Sequence, residues 1–318
     1  MLSIALFHSL LFAGLTSAYK SDVLRSFDIS YSNSSCPAGL PLSCSNTTVV
    51  EDLCCFESPG GVVLLAQFWD YSPGLGPEDA FTIHGLWPDN CDGTYQQFCI
   101  PSLEITDARA VLNKFGDEDL LAYMDINWKN GNVTAGDNDL WIHEYNKHGT
   151  CYSTINPSCY SNYTEGQQVA DFYKLTVATH KQLPTYDWLK EANIVPSTTK
   201  NYTSSEIESA LSSKFGKKVY ISCDSGNNLN EIWYYHHVQG SLLDENFVRI
   251  DPVSNSTGCP ATGVKYTPKI IATPGSNSTT NTTNGTVEHA SLNAAVQVAG
   301  NALVYGVSGV AAAFLALL

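Results

Sequence analysis

Two short segments of this chain gather the residues best suited to moving protons. WIHEYNKHGTC (141–151) sets His143, Glu144, Lys147 and His148 within six positions. FTIHGLWPDN (81–90) sets His84 in an otherwise apolar run, followed by Trp87, Asp89 and, further on, Tyr95. On a helix, at about 100° per residue, the four polar residues of the first segment fall at about 0°, 100°, 40° and 140°, one contiguous arc. One face then presents two imidazoles, a carboxylate and an ammonium. Imidazoles titrate near neutrality, so a pair of them can supply a general base and a general acid at the same pH. Transesterification of a phosphodiester by a neighbouring hydroxyl needs both: one group takes the hydroxyl proton, the other protonates the departing oxygen on the far side. A lysine and a further cationic imidazole can stabilise the negative charge that gathers on the nonbridging oxygens. Trp87 and Tyr95 offer flat faces for a base, each worth ~1–3 kcal/mol when stacked.

Two other readings compete. His-Glu pairs on helices also serve zinc proteases, but those histidines stand four apart, whereas His143 and His148 are five apart and diverge by about 140°. No metal and no cofactor is therefore expected. A solvated helix face accounts for 141–151 taken alone as well as catalysis does, and a lone histidine in an apolar strand is usually a satisfied core residue. Only the two segments together supply both proton transfers.

The elements that must position them can be read from periodicity and punctuation. VVLLAQFWDY (62–71) is a continuous apolar run with the character of a buried strand, and 81–88 can pair with it after the PGLGP turn at 73–77. A helix is expected from near Leu140 to Gly149. A second covers 168–183, where Val169, Phe172, Tyr173 and Val177 share a face and Pro184 ends the run. Ser205 and Glu208 have capping-box spacing ahead of a short helix closed by Gly216. KVYISC (218–223) and EIWYYHHV (231–238) have strand composition. Helices and strands come in separate runs, so the expected fold class is α+β, with a central, largely antiparallel β-sheet flanked by helices.

Composition places this machinery outside the cytosol. All ten cysteines lie between Cys36 and Cys259, and no pair of CxxC knuckles suggests a zinc ribbon, so five disulfides are expected. Nine N-x-Ser/Thr acceptors occur, at Asn33, Asn46, Asn132, Asn162, Asn201, Asn255, Asn277, Asn281 and Asn284. Residues 1–18 read as a signal peptide, though without a basic n-region. Residues 19–270 read as one catalytic domain, 271–286 as a Ser/Thr/Asn-rich glycosylated stalk, and 287–318 as a hydrophobic C-terminal segment. That last segment fits either a removed GPI-anchor signal or a retained membrane tail. The formal net charge is −15, from 16 basic and 31 acidic residues. This argues against a protein held to nucleic acid by general phosphate neutralisation. The objection weakens at acid pH, where carboxylates near ~3.9–4.3 begin to protonate and histidines near ~6.5 become cationic.

Both active segments resemble the two active-site signatures of the ribonuclease T2 family, and the resemblance extends over about residues 30–260, including the ten-cysteine layout of fungal members. It implies an acid endoribonuclease that passes through a 2′,3′-cyclic phosphate to 3′-phosphate ends with low base specificity. It implies His148 as general base, His84 as general acid, Glu144 and Lys147 as groups acting on the phosphate, and His143 as a phosphate-binding histidine. Trp87, Asp89 and Tyr95 are implied as the pocket for the base 5′ to the cut, and Gln67 as a wall of the next pocket. The implied disulfides are Cys36–Cys55, Cys44–Cys91, Cys54–Cys159, Cys99–Cys151 and Cys223–Cys259. Leu140 departs from the aromatic residue many members carry there. The partner expected is RNA, with no DNA, acting on a monomer in the secretory pathway, at the cell surface or in a vacuole-like compartment. The rival reading is a glycosylated surface binding protein that keeps the scaffold without relying on catalysis, for which the two histidines would be dispensable.

Overall fold

A computed structural model describes residues 36–45, 52–253 and 258–270. The expected leader, stalk and hydrophobic C-terminal segment lie outside the described residues, as do Asn33, Asn46, Asn255, Asn277, Asn281 and Asn284. Among the described residues no helix is long and apolar enough to cross a membrane.

The run starting at Val62 forms β1 (Val62–Phe68), buried on both faces along almost its whole length. A strand with no polar alternation belongs in the middle of a sheet. It sits between β2 (Thr82–Asp89) and a long strand at Leu229–Val238, antiparallel to both. A two-stranded sheet pairs β3 (Asn201–Thr203) with a strand at Thr262–Lys265. Numbered in chain order, the main sheet is completed by β4 (Tyr220–Cys223), β5 (the Leu229–Val238 strand) and β6 (Phe247–Ile250), with β4 and β6 both antiparallel to β5. The strand at 62–71 ends at Phe68, three residues earlier than expected, and the strand expected from Lys218 starts at Tyr220.

Six helices flank the sheet among the described residues. Two that composition did not announce are α1 (Ala108–Lys114) and α2 (Glu118–Asn127). The histidine-bearing helix α3 (Asp137–Lys147) begins a turn before Leu140. Asp137 and Asp139 place carboxylates at its positive end, and Asp137 also accepts from the Asn130 amide at 2.9 Å. Then come α4 (Gln167–Lys181), α5 (Thr185–Glu191) and α6 (Ser204–Phe215). The capping box of α6 is formed by Thr203 and Glu206, not Ser205 and Glu208. Strand β3 delivers Thr203 in the extended conformation an N-cap requires (φ −91°, ψ 151°), whereas Ser205 already lies in the first turn. Gly216 closes α6 at φ +80°, as its position suggested.

The two faces of the sheet differ. Val63, Leu65, Ile83 and Leu86 pack under the helices against Trp141, Tyr145, Phe172 and Tyr173 in the main core. Val62, Leu64, Tyr220 and Tyr235 form a smaller cluster on the other face, with Trp87 and Trp233 against it. The five disulfides join Cys36–Cys55, Cys44–Cys91, Cys54–Cys159, Cys99–Cys151 and Cys223–Cys259, the pairs the resemblance implied.

Candidate active site

Strand β2 does not alternate regularly. Gly85 pairs with Ala66 and Ile83 with the next residue, Gln67, so His84 is an extra residue with no partner on β1. A bulge of this kind lets a strand turn a side chain to the face its parity would deny it. Ile83 and Leu86, three apart, both reach the core, while His84 stays partly exposed on the other side. There its ring stacks on Phe68 with centroids 3.9 Å apart and meets the Trp87 indole edge-on at 4.8 Å. Behind it, Trp128 Nε1 donates to the His84 carbonyl at 2.9 Å and holds the bulge.

Helix α3 lays Glu144 across the strand. The carboxylate is buried, and its Oε2 accepts from Trp87 Nε1 at 2.8 Å. His84 Nε2 lies 3.6 Å from Glu144 Oε1, and His148 Nε2 lies 4.0 Å from Glu144 Oε2. Two imidazoles from distant segments thus face the two oxygens of one carboxylate. His148 caps α3, donating its amide to the Glu144 carbonyl at 3.1 Å, and its ring stacks on Trp87 at 5.0 Å. Lys147, in the last turn, is close enough to act electrostatically on His84, His143, Glu144 and His148.

The two rings are tuned in opposite directions. Burial pushes His148 well below the usual imidazole range, and Lys147, His84 and His143 add to it; its Nδ1 is buried without a hydrogen-bond partner. Burial alone would lower His84 too, but Glu231 and Glu144 outweigh it and raise it above the ordinary value. His143 is lowered by burial, Lys147 and His84, and its ring meets Phe98 edge-on at 6.3 Å. Burial raises Glu144, against His84 and the Trp87 hydrogen bond. Its neutral form can donate to a phosphate oxygen where its anion would repel one.

Asp89 follows Trp87 on the same face, and a turn in which the Asn90 amide donates to the Thr94 carbonyl at 2.7 Å returns Tyr95 to bridge Asp89. Burial raises Asp89 to about 7, and Tyr95 is 42% exposed. Trp87 spends its N–H on Glu144 and one ring face on His148, so one face at most is left for a base. Gln67 is not brought to this cluster. It lies on the helix side of β1, donating to the Leu183 carbonyl at 3.0 Å and accepting from Thr185 Oγ1 at 2.6 Å, on the wall of a separate cavity of about 750 Å³. Glu231, Phe68 and Gly85 belong to the cluster but were not singled out from sequence. Of these, only Gly85 had a signal, as a glycine inside a strand pattern.

The sequence profile described as the Ribonuclease T2 family matches residues 60–249. This chain belongs to the ribonuclease T2 family. A Candida albicans protein named "Ribonuclease T2-like 1-A" is 46% identical, the alignment covering 87% of this chain and 69% of the relative. A Debaryomyces hansenii protein named "Ribonuclease T2-like" is 49% identical over 79% of this chain, a span that makes up only 62% of the relative's own length. A crystal structure of Actibind, a T2 ribonuclease, superposes with a TM-score of 0.69 at 40% identity, covering 74% of this chain and 98% of that one. His84, Trp87 and Glu144 lie inside the matched region.

Proposed function

We propose that this chain is an acid endoribonuclease that cleaves single-stranded RNA through a 2′,3′-cyclic phosphate to 3′-phosphate ends, with low base specificity. The observation that carries this reading is the convergence of His84 Nε2 and His148 Nε2 on the one buried carboxylate of Glu144. In the first step His148, held neutral by its dry surroundings, takes the 2′-hydroxyl proton. The 2′-oxygen bonds to phosphorus, the bond from phosphorus to the 5′-oxygen breaks, and His84 gives its proton to that oxygen. In the second step the roles reverse: His84 takes a proton from water, the hydroxide adds to phosphorus, and His148 returns a proton to the departing 2′-oxygen. Lys147, His143 and Glu144 stabilise the pentacovalent species. Trp87, Asp89 and Tyr95 receive the base 5′ to the cut. Asp89, raised to about 7, is neutral on the acid side, where its carbonyl oxygen would accept from an exocyclic amino group and its hydroxyl would donate to a ring nitrogen or carbonyl.

DNA lacks the attacking hydroxyl and is not a substrate on this route. Digesting an RNA homopolymer in the presence of chelator should release cyclic nucleotides; strict dependence on added metal would refute the mechanism. The chain is further read as a monomeric secretory glycoprotein, anchored to a membrane or free. Five disulfides support that location, as does the exposure of Asn132, Asn162 and Asn201. Intact mass before and after glycosidase, and release by a phosphatidylinositol-specific phospholipase, test it.

A further inference from the structure

Glu231 enters the site from β5, 147 residues from His84 in the chain, and nothing in the two histidine segments announces it. Its Oε1 lies 2.5 Å from His84 Nδ1 and its Oε2 accepts from Trp233 Nε1 at 3.2 Å, so both oxygens are engaged and the carboxylate cannot swing away without breaking a bond. Phe68, its cross-strand partner on β1, stacks under the same imidazole. The His84 ring is thus clamped on one face and at one nitrogen, and its other nitrogen, Nε2, faces Glu144 Oε1 at 3.6 Å. His148 has no such clamp, since its Nδ1 is unpartnered.

We propose that Glu231 is the positioning residue that makes His84 the acid of the pair: its negative charge holds the Nδ1 proton, aims Nε2–H at the leaving oxygen and keeps the ring cationic until that proton is given up. The proposal rests on the reading of His84 as general acid. The other charged and titratable groups around the ring are Glu144, Lys147 and His143 of α3, His148 at its C-cap, and Asp70, just beyond β1. Of the carboxylates, Glu231 alone binds Nδ1, so its charge is the one coupled to the ring's tautomer. The opposing view is a carboxylate that merely ties Trp233 into the sheet.

The two views separate on the leaving group. A 5′-nucleoside leaves as a strongly basic alkoxide and needs a proton, whereas 4-nitrophenolate does not. Glu231→Gln, which keeps the shape and removes the charge, should slow cleavage of a dinucleoside monophosphate by roughly 10- to 100-fold. Cleavage of the 4-nitrophenyl ester of uridine 3′-phosphate should change by less than about threefold. The alkaline limb of the dinucleotide profile should move to lower pH by about one unit, and Glu231→Asp, retaining the charge, should keep that limb near its original place. Equal losses on both substrates with an unmoved limb would overturn the proposal in favour of the structural view, as would full activity in Glu231→Gln. His84→Ala, measured alongside, keeps the two readings apart: if it too loses equally on both substrates, His84 is not the acid and the functional reading fails with the proposal. If His84→Ala spares the aryl ester and Glu231→Gln does not, only the role of Glu231 falls.

Discussion

Gly85 and Glu144 approach so closely that a Cβ on Gly85 would stand 2.0 Å from Glu144 Oε2 and 2.6 Å from Trp87 Nε1. The glycine is there because a carboxylate and an indole pass over its backbone. Gly85→Ala must therefore push Glu144 off Trp87 and out from between the two histidines. We predict a loss of kcat/KM of about 100-fold or more, accompanied by a modest fall in Tm; an unchanged rate would mean that Glu144 can relax without cost.

The opposed tuning of the histidines predicts a bell. kcat/KM should rise through a group titrating below 6.5, His148, and fall through one titrating above it, His84. Lys147 lowers both rings, so Lys147→Met should move both limbs to higher pH while reducing kcat. A pH–rate series on a dinucleotide checks this, and limbs that moved down instead would contradict the placement of Lys147.

The loop after β2 is tied to the end of α3 by Cys99–Cys151, with the Phe98 amide donating to the Lys147 carbonyl at 3.0 Å and the Cys99 amide to Thr150 Oγ1 at 3.1 Å. Replacing both cysteines by alanine should cost about 2–4 kcal/mol of stability. Because that loop carries Tyr95 and Phe98, it should also raise KM more than it lowers kcat. Denaturant melts and steady-state kinetics on the double variant test both halves.

His180 is buried, its Nδ1 accepting from the Tyr123 hydroxyl at 2.9 Å and its Nε2 donating to the Phe81 carbonyl at 3.1 Å, and burial lowers it to about 4. A histidine depressed on folding contributes stability that is complete above the unfolded value of 6.5 and lost as pH falls through about 4. The advantage of the native protein over His180→Gln should therefore shrink by up to about 3 kcal/mol between those limits. A pH-independent difference in urea melts would show that the imidazole stays protonated in the fold.

What the sequence by itself determined about this protein is local. The strand at 62–68, the helix bearing His143 to His148, the glycine closing α6 and the residue types for proton transfer depend on near neighbours, periodicity and side-chain chemistry. The cysteine count and the two motifs in order carried the resemblance to the family. What only the tertiary structure decided is orientation and distant company. The bulge at His84 depends on its register with β1, and a shift of one residue reverses which face a side chain meets. Gln67 turns to the helices for the same reason, although its neighbour Phe68 stacks on His84 on the other face. Glu231 meets His84 only because β5 lies on the far side of β1 from β2, a consequence of strand order that no window of neighbouring residues contains.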